Sequence, residues 1–328
     1  MIRFGVIGTN WITDAFLKAA GDLKDLKLAA VYSRTVEKGR EFADKYGVHT
    51  VFTDVEEMAK SDVIDAVYVA SPNSFHSKHA ITLMNHGKHV LCEKPLASNA
   101  EEVKEMIEAA KVNKIVLMEA LKSTMLPGFK AIQESLPKIE TIRRYVGNYC
   151  QYSSRYDAYK EGNILNAFKP QFSNGALMDL GTYCIYPLVV LFGKPISVKA
   201  SGVMLESGVD GEGSVLLTYE SMEAVITYSK ITDSFLPSEI QGEKGSIIID
   251  RIHTPEKVEI RHRGGSVEDV SQTAQHEPMY YEAKEFISLI QQGKLESDIN
   301  SHENSLTVME IMDEVRSQIG VVYPSDRK

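Results

Sequence analysis

Glu93-Lys94-Pro95 closes a strand-like run, His89-Val90-Leu91-Cys92. In a parallel sheet this puts one ammonium group at the carboxyl ends of the strands, where open α/β sheets bind ligands. Far along the chain, Asp179 and Tyr183 lie four apart in the run Gly175-Ala176-Leu177-Met178-Asp179-Leu180-Gly181-Thr182-Tyr183, on one face of a helix. These residue types can move a proton during hydride transfer. Reduction of a carbonyl leaves an alkoxide that must be protonated. A tyrosine, with a reference pKa near 10, does this only when a neighbouring cation favours its phenolate. A Lys–Tyr pair then acts as acid in one direction and base in the other. Spacing alone fits a capped helix with a core tyrosine better. However, Asp is poor in helix interiors, so Asp179 needs a role, either orienting a substrate hydroxyl or holding Lys94.

A nucleotide would have to sit beside Lys94. Gly5-Val6-Ile7-Gly8-Thr9-Asn10-Trp11-Ile12-Thr13 follows the first strand and opens the first helix, the context of the dinucleotide fingerprint G-x-G-x-x-G/A. Only Gly8 of its glycines is present. Asn10 stands at the second position, where left-handed backbone is better tolerated by Asn than by most residues, and Thr13 stands at the third. The helix N-terminus, with Thr9, Asn10, Trp11 and Ile12, can still hold phosphates. The loop alone fits a nucleotide site and an ordinary strand–turn–helix corner equally, and its βαβ context tips it toward the first. Trp11, the sole tryptophan, either lines the cofactor or seats the helix. The second strand ends at Tyr32-Ser33-Arg34 with no acid for a ribose 2′-hydroxyl. Ser33, Arg34 and Lys38 suit a 2′-phosphate, so NADP(H) is expected over NAD(H).

Ser71-Pro72-Asn73 makes a turn at the same sheet edge, and His76 begins the next helix near the expected nicotinamide. His76, His79, His86 and His89 are dense, but no Cys or carboxylate completes a zinc pattern such as H-E-x-x-H. No metal is expected, and the helix reads as one bearing exposed histidines.

The elements that must position these groups alternate. Strand-like runs at 2–7, 28–32, 66–70, 89–92 and 115–119 are separated by helix-like runs near 14–20, 36–46, 76–86 and 100–113. That alternation predicts a parallel, doubly wound sheet in a first domain, residues 1–120. After Leu121 the pattern becomes short alternating strands with glycine-rich turns, an antiparallel meander, preceded by a helix over 176–191 and followed by two more at 279–292 and 302–318. Residues 121–328 are therefore expected to form a substrate-binding and oligomerisation domain of α/β class with an open antiparallel sheet. Arg155, Asn166 and Phe168 precede the Asp179 helix and are candidates to touch substrate, although structural roles suit them equally.

Bulk properties bound the rest. A chain of 328 residues is long enough for two cores. A formal charge of -9 without a dense basic block argues against nucleic acid as a partner. The three widely spaced cysteines fit reduced thiols in a cytoplasmic protein. The apolar run 184–192 is too short for a membrane span, which needs roughly 20 residues.

The motifs Phe4-Gly5-Val6-Ile7-Gly8, Ser71-Pro72-Asn73 with His76, Glu93-Lys94-Pro95, 175–183 and Gly242-Glu243-Lys244-Gly245-Ser246-Ile247, in this order and spacing, make the chain resemble the Gfo/Idh/MocA oxidoreductases over essentially its full length. The resemblance implies an N-terminal Rossmann domain, a C-terminal α/β domain whose open sheet forms the contact of a homodimer or higher oligomer, and catalysis by Lys94. Many members carry a catalytic His four residues after the Asp. Here Tyr183 takes that place, which is similar to the dimeric dihydrodiol dehydrogenase branch, where Lys and Tyr work with NADP. Leu117-Met118-Glu119-Ala120 also resembles that branch, whereas Lys122 stands where it would have an aromatic residue. The resemblance implies an enzyme acting on a sugar-like or diol-type hydroxyl/carbonyl pair. A catalytically silent cofactor-binding sensor is the alternative, and the retained Lys94 and Tyr183 speak against it.

Overall fold

The computed structural model describes residues 1–327. They divide into two compact units: Met1–Leu121 with His276–Ser305, and Lys122–Gln275 with the chain from Leu306 onward.

The first unit is built from β1 (Ile2–Ile7), α1 (Trp11–Ala20), β2 (Leu26–Tyr32), α2 (Val36–Asp44), β3 (Val51–Phe52), α3 (Val55–Lys60), β4 (Ala66–Val69), α4 (His76–Asn85), β5 (His89–Glu93), α5 (Ala100–Asn113) and β6 (Leu117–Ala120). The six strands pair in parallel in the order β3-β2-β1-β4-β5-β6. Buried runs such as Ala66–Val69 suit a sheet covered on both faces. Its core stacks Phe16 on Tyr68 at 3.9 Å and sets Phe286 edge-on to Phe4 at 5.8 Å. The order of connection reverses between β1 and β4, so the chain leaves their carboxyl ends in opposite directions, the place such sheets offer a ligand.

The second unit carries α6 (Pro127–Ser135), β7 (Ile142–Cys150), α7 (Tyr156–Lys160), a π-helical turn at Leu177–Gly181 running into α8 (Thr182–Phe192), and β8 (Ser197–Met204), β9 (Asp210–Thr218), β10 (Glu223–Ser229), β11 (Ser238–Gly242), β12 (Gly245–Ile249), β13 (Val258–His262) and β14 (Val267–Asp269). The sheet order is β14-β13-β12-β11-β7-β10-β9-β8. It is the expected open antiparallel sheet except at one seam, where β7 lies parallel to β10. The run Pro170–Phe192 is apolar and long enough to cross a bilayer, yet its apolar 18-residue window is 72% buried inside the protein, as a core helix is.

Two helices close the chain, α9 (Pro278–Gln292) and α10 (His302–Ile319). α9 packs on α1, and its Phe286 meets Phe4 of β1. Asn300 donates to the carbonyls of Glu119 and Leu121 at 3.1 Å each, and His302 Nε2 lies 3.0 Å from the Leu117 carbonyl. Residues 276–305 thereby join the first unit and fasten the exposed side of its last strand.

Candidate active site

In the first unit three loops meet at the carboxyl edge of β1, β4 and β5. Gly8 turns the first with φ +112°, and a Cβ there would stand 2.5 Å from the Ala70 carbonyl, so only glycine lets this loop cross the end of β4. Asn10 corrects an expectation: its backbone is extended, φ -102°, not left-handed. It is the N-cap of α1. Its Oδ1 accepts from Ile12 N and Thr13 N at 3.1 and 3.3 Å, and its Nδ2 donates to the Ala70 carbonyl at 3.3 Å. Thr13 is fully buried beneath it. Trp11 is 68% exposed, so it does not seat the helix. Ser33 is buried, while Arg34 and Lys38 are exposed around Thr35, whose hydroxyl caps α2 by accepting from Lys38 N. A positive-φ glycine, a helix N-terminus and a second loop with Arg34 and no carboxylate fit a dinucleotide. Such a cofactor would be held by the loop of residues 8–12 and by Ser33-Arg34, and would supply the hydride acceptor.

Lys94 follows β5, partly exposed, with the Lys94–Pro95 peptide cis. Glu93, before it, is buried and accepts from the Tyr68 hydroxyl and the Lys94 amide. Glu119, on β6, accepts from Leu96 N at 3.0 Å. Burial drives its carboxyl up to about 7, opposed by a Ser305 bond and by Lys94 and reinforced by Glu93. His76 is fully buried, its Nδ1 2.9 Å from the Pro95 carbonyl and its Nε2 2.8 Å from that of Ser71. Burial lowers its pKa, opposed by the two carbonyl contacts, so the ring is neutral and donates to one of the two carbonyls only. His79 Nδ1 meets Ser71 Oγ at 3.1 Å, and burial lowers its pKa to about 4. The expectation of a helix with exposed histidines is therefore wrong: the 3.6-residue period turns both rings inward, against the loops. Among the described residues no metal-binding cluster occurs.

In the second unit Gly175, φ +147°, lets Asp210 come close enough for its Oδ2 to accept from Leu177 N at 2.7 Å. Asp210, fully buried and raised to about 6 by burial, thus anchors the start of the turn bearing Asp179. That turn is π-helical, a form frequent at functional sites. Asp179 pairs with Lys230 Nζ at 2.9 Å. On β7, alternation turns Tyr145, Gly147 and Tyr149 toward α8: the Tyr145 hydroxyl donates to the Cys184 carbonyl at 3.0 Å. Tyr149 presents its ring to Tyr183 edge-on at 5.7 Å and stacks on His253 at 3.9 Å. Burial lowers the His253 pKa to about 4, helped by Lys122 and Arg251, so Tyr183 neighbours a neutral imidazole.

Known proteins share this sequence and fold. The family model described as "Oxidoreductase family, NAD-binding Rossmann fold" matches residues 2–121, and "GFO/IDH/MocA C-terminal domain" matches 139–248. A Bacillus subtilis (strain 168) protein named scyllo-inositol 2-dehydrogenase (NADP(+)) IolU is 58% identical over the whole of both chains. The chain belongs to the Gfo/Idh/MocA family. As a member it is an oxidoreductase with a nicotinamide dinucleotide-binding Rossmann unit. The trans-1,2-dihydrobenzene-1,2-diol dehydrogenase of Xenopus laevis is 32% identical over 98% of this chain and 99% of its own. A structure of levoglucosan dehydrogenase with NADH and L-sorbose superposes with a TM-score of 0.85 over 98% of this chain and 97% of that one, at 21% identity, which speaks for the Gfo/Idh/MocA fold alone.

Within this family member, Gly8, Ser71, Pro72, Asn73, Glu93 and Lys94 gather at one edge of the first unit, and Asp179 and Tyr183 share one short stretch of the second. Arg155 and Asn166 are exposed, and Phe168 is buried under Lys230. Sequence reasoning did not find Glu119, Tyr149, Lys230 or His253. Glu119 carried a signal, a carboxylate inside an apolar strand. The other three carried none, because their meaning lies in partners remote in sequence.

Proposed function

We propose that the chain is an NADP(H)-dependent dehydrogenase that oxidises a ring CH–OH of a cyclic polyol of the inositol class, and reduces the matching ketone. The observation that carries this is the 58% identity, end to end, with a protein named as an NADP(+) scyllo-inositol 2-dehydrogenase. The loop after β2, which offers Arg34 and no carboxylate, supports the phosphorylated cofactor.

In the oxidative direction Tyr183, as phenolate, takes the proton of the substrate hydroxyl, and the dinucleotide, which residues 8–12 and Ser33-Arg34 would hold, would supply the hydride acceptor that lets the carbinol become a ketone. Lys94 favours that phenolate and polarises the reacting oxygen. Asp179 accepts from a substrate hydroxyl. The Tyr149–His253 stack keeps one flank of Tyr183 apolar and uncharged at neutral pH. A homodimer or higher oligomer through the second-unit sheet belongs to the same reading, supported by Val203, Met204 and Leu216 left exposed on β8 and β9.

The test is NADPH formation with scyllo-inositol, its epimers and simple sugars, using the wild type, Lys94→Ala and Tyr183→Phe, with cofactor binding followed separately by Trp11 fluorescence. Each variant should lose about a hundredfold or more in turnover while still binding NADPH. Near-normal turnover in both would refute the mechanism. No turnover of any polyol despite tight NADPH binding would refute the function.

A further inference from the structure

Lys230 directly follows β10, with 3% of its side chain exposed. A buried ammonium needs partners. Its Nζ donates to the Ala167 carbonyl at 3.1 Å, lies 5.0 Å above the Phe168 ring and meets Asp179 Oδ2 at 2.9 Å. The asymmetry of the pair is informative: Lys230 is sealed, whereas the Asp179 side chain is 36% exposed. The cation faces the core and the carboxylate faces outward. Pairs of this kind are weak devices for stability, since apolar replacements do as well or better. A carboxylate that must accept from a substrate hydroxyl, on the other hand, needs to stay ionised when substrate strips its water, and needs one rotamer.

We propose that Lys230 is a positioning residue that fixes the rotamer of Asp179 and keeps its carboxylate ionised for substrate, acting only through Asp179. This rests on the reading that Asp179 contacts substrate. Among the described residues, Asp210 on β9 acts electrostatically on Lys230, Tyr228 on β10 lies beside Asp210 and two residues before Lys230, and Tyr183 lies one turn beyond Asp179 on α8. Asp210 is already held by Leu177 N and leaves Asp179 as the outward partner of the cation.

The experiment is a double-mutant cycle on the full-length protein with Lys230→Met, Asp179→Asn and both, read as kcat/KM against pH with NADP+ and the polyol turned over fastest. Lys230→Met should lose about tenfold or more at neutral pH, and the acid limb of its profile should move up by about one pH unit. It should lose nothing further when Asp179 is already Asn. Losses that multiply in the double variant would overturn the proposal, as would an unmoved acid limb. Lys230→Gln, which keeps a donor for Ala167, replaces Met if that variant does not fold. Should the wild type turn over no polyol, the proposed function fails independently. Carboxyl-carbon NMR of Asp179 then decides: an upward shift of its titration in the Lys230 variant supports the pairing role, and an unchanged titration overturns it.

Discussion

His76 ties the peptide that follows Lys94 to the loop that ends β4: one ring spans the carbonyls of Pro95 and Ser71, at 2.9 and 2.8 Å. The sequence placed His76 near the expected nicotinamide. Buried completely, with both nitrogens against main-chain oxygens, the neutral ring straps two loops that carry other groups, by a hydrogen bond to one and by packing against the other.

Removing the strap should therefore affect catalysis more than cofactor binding. His76→Ala is expected to lower kcat about tenfold or more, because Lys94 loses its fixed position, and to cost about 2 kcal/mol in stability from the cavity and the lost hydrogen bond. His76→Gln, which keeps a donor, should recover part of both. Steady-state kinetics and thermal melts check this. An alanine variant with wild-type kcat would show that the strap does not position Lys94.

Asn10 makes a sharper separation possible. Its Oδ1 caps α1 by accepting from Ile12 N and Thr13 N, at the end where phosphates would bind. An aspartate caps equally well but adds a negative charge beside the pyrophosphate. Asn10→Asp keeps the cap but loses the Nδ2 bond to the Ala70 carbonyl, so it should cost about 1 kcal/mol in stability while its NADPH Kd rises about tenfold or more. Unchanged affinity, measured by Trp11 quenching, would place the phosphates elsewhere.

The fold was legible because the first unit announces itself locally: apolar runs alternate with capped helices, and each strand end fixes which loop reaches the crevice. Lys94 could be placed from that alone. β3 and α3 were missed, since a strand of two residues, Val51–Phe52, has no period to detect. Residues 276–305 carry no local mark of the core they join, which is set by Phe286 against Phe4 and by Asn300 on the carbonyls after β6. Lys230 was illegible for the same reason. A lysine after a strand is ordinary until Asp179, Ala167 and Phe168 are folded around it.

Glu119 gives a stability prediction with a definite sign. Burial raises its carboxyl from an ordinary 4.5 to about 7, so the folded protein binds this proton more tightly than the unfolded chain. The stabilisation is complete below the unfolded value and is lost as pH rises through about 7. The full span is worth on the order of 3 kcal/mol. Glu119→Gln should then gain on the wild type as pH climbs from about 5 to about 8, with the difference in melting temperature widening in the variant's favour. A difference that stays constant with pH would mean that Glu119 is ionised throughout.

Gly175 tests whether the anchoring of the Asp179 turn matters. Asp210 is completely buried and accepts from Leu177 N at 2.7 Å, and a Cβ on residue 175 would fall 2.1 Å from its Oδ1. Neither side has room to give, because the glycine sits at φ +147° and the carboxylate is held by main chain. Gly162 supplies the comparison, with φ +84° and nothing within 4 Å of an added Cβ. Gly162→Ala should cost only the backbone strain, about 1–2 kcal/mol. Gly175→Ala should cost about 3 kcal/mol or more, because Asp210 must leave the helix start. If the variant folds, its kcat/KM should fall with Asp179 displaced while NADPH binding in the first unit stays intact. Equal costs for the two substitutions would show that the close approach of Asp210 is not what Gly175 provides.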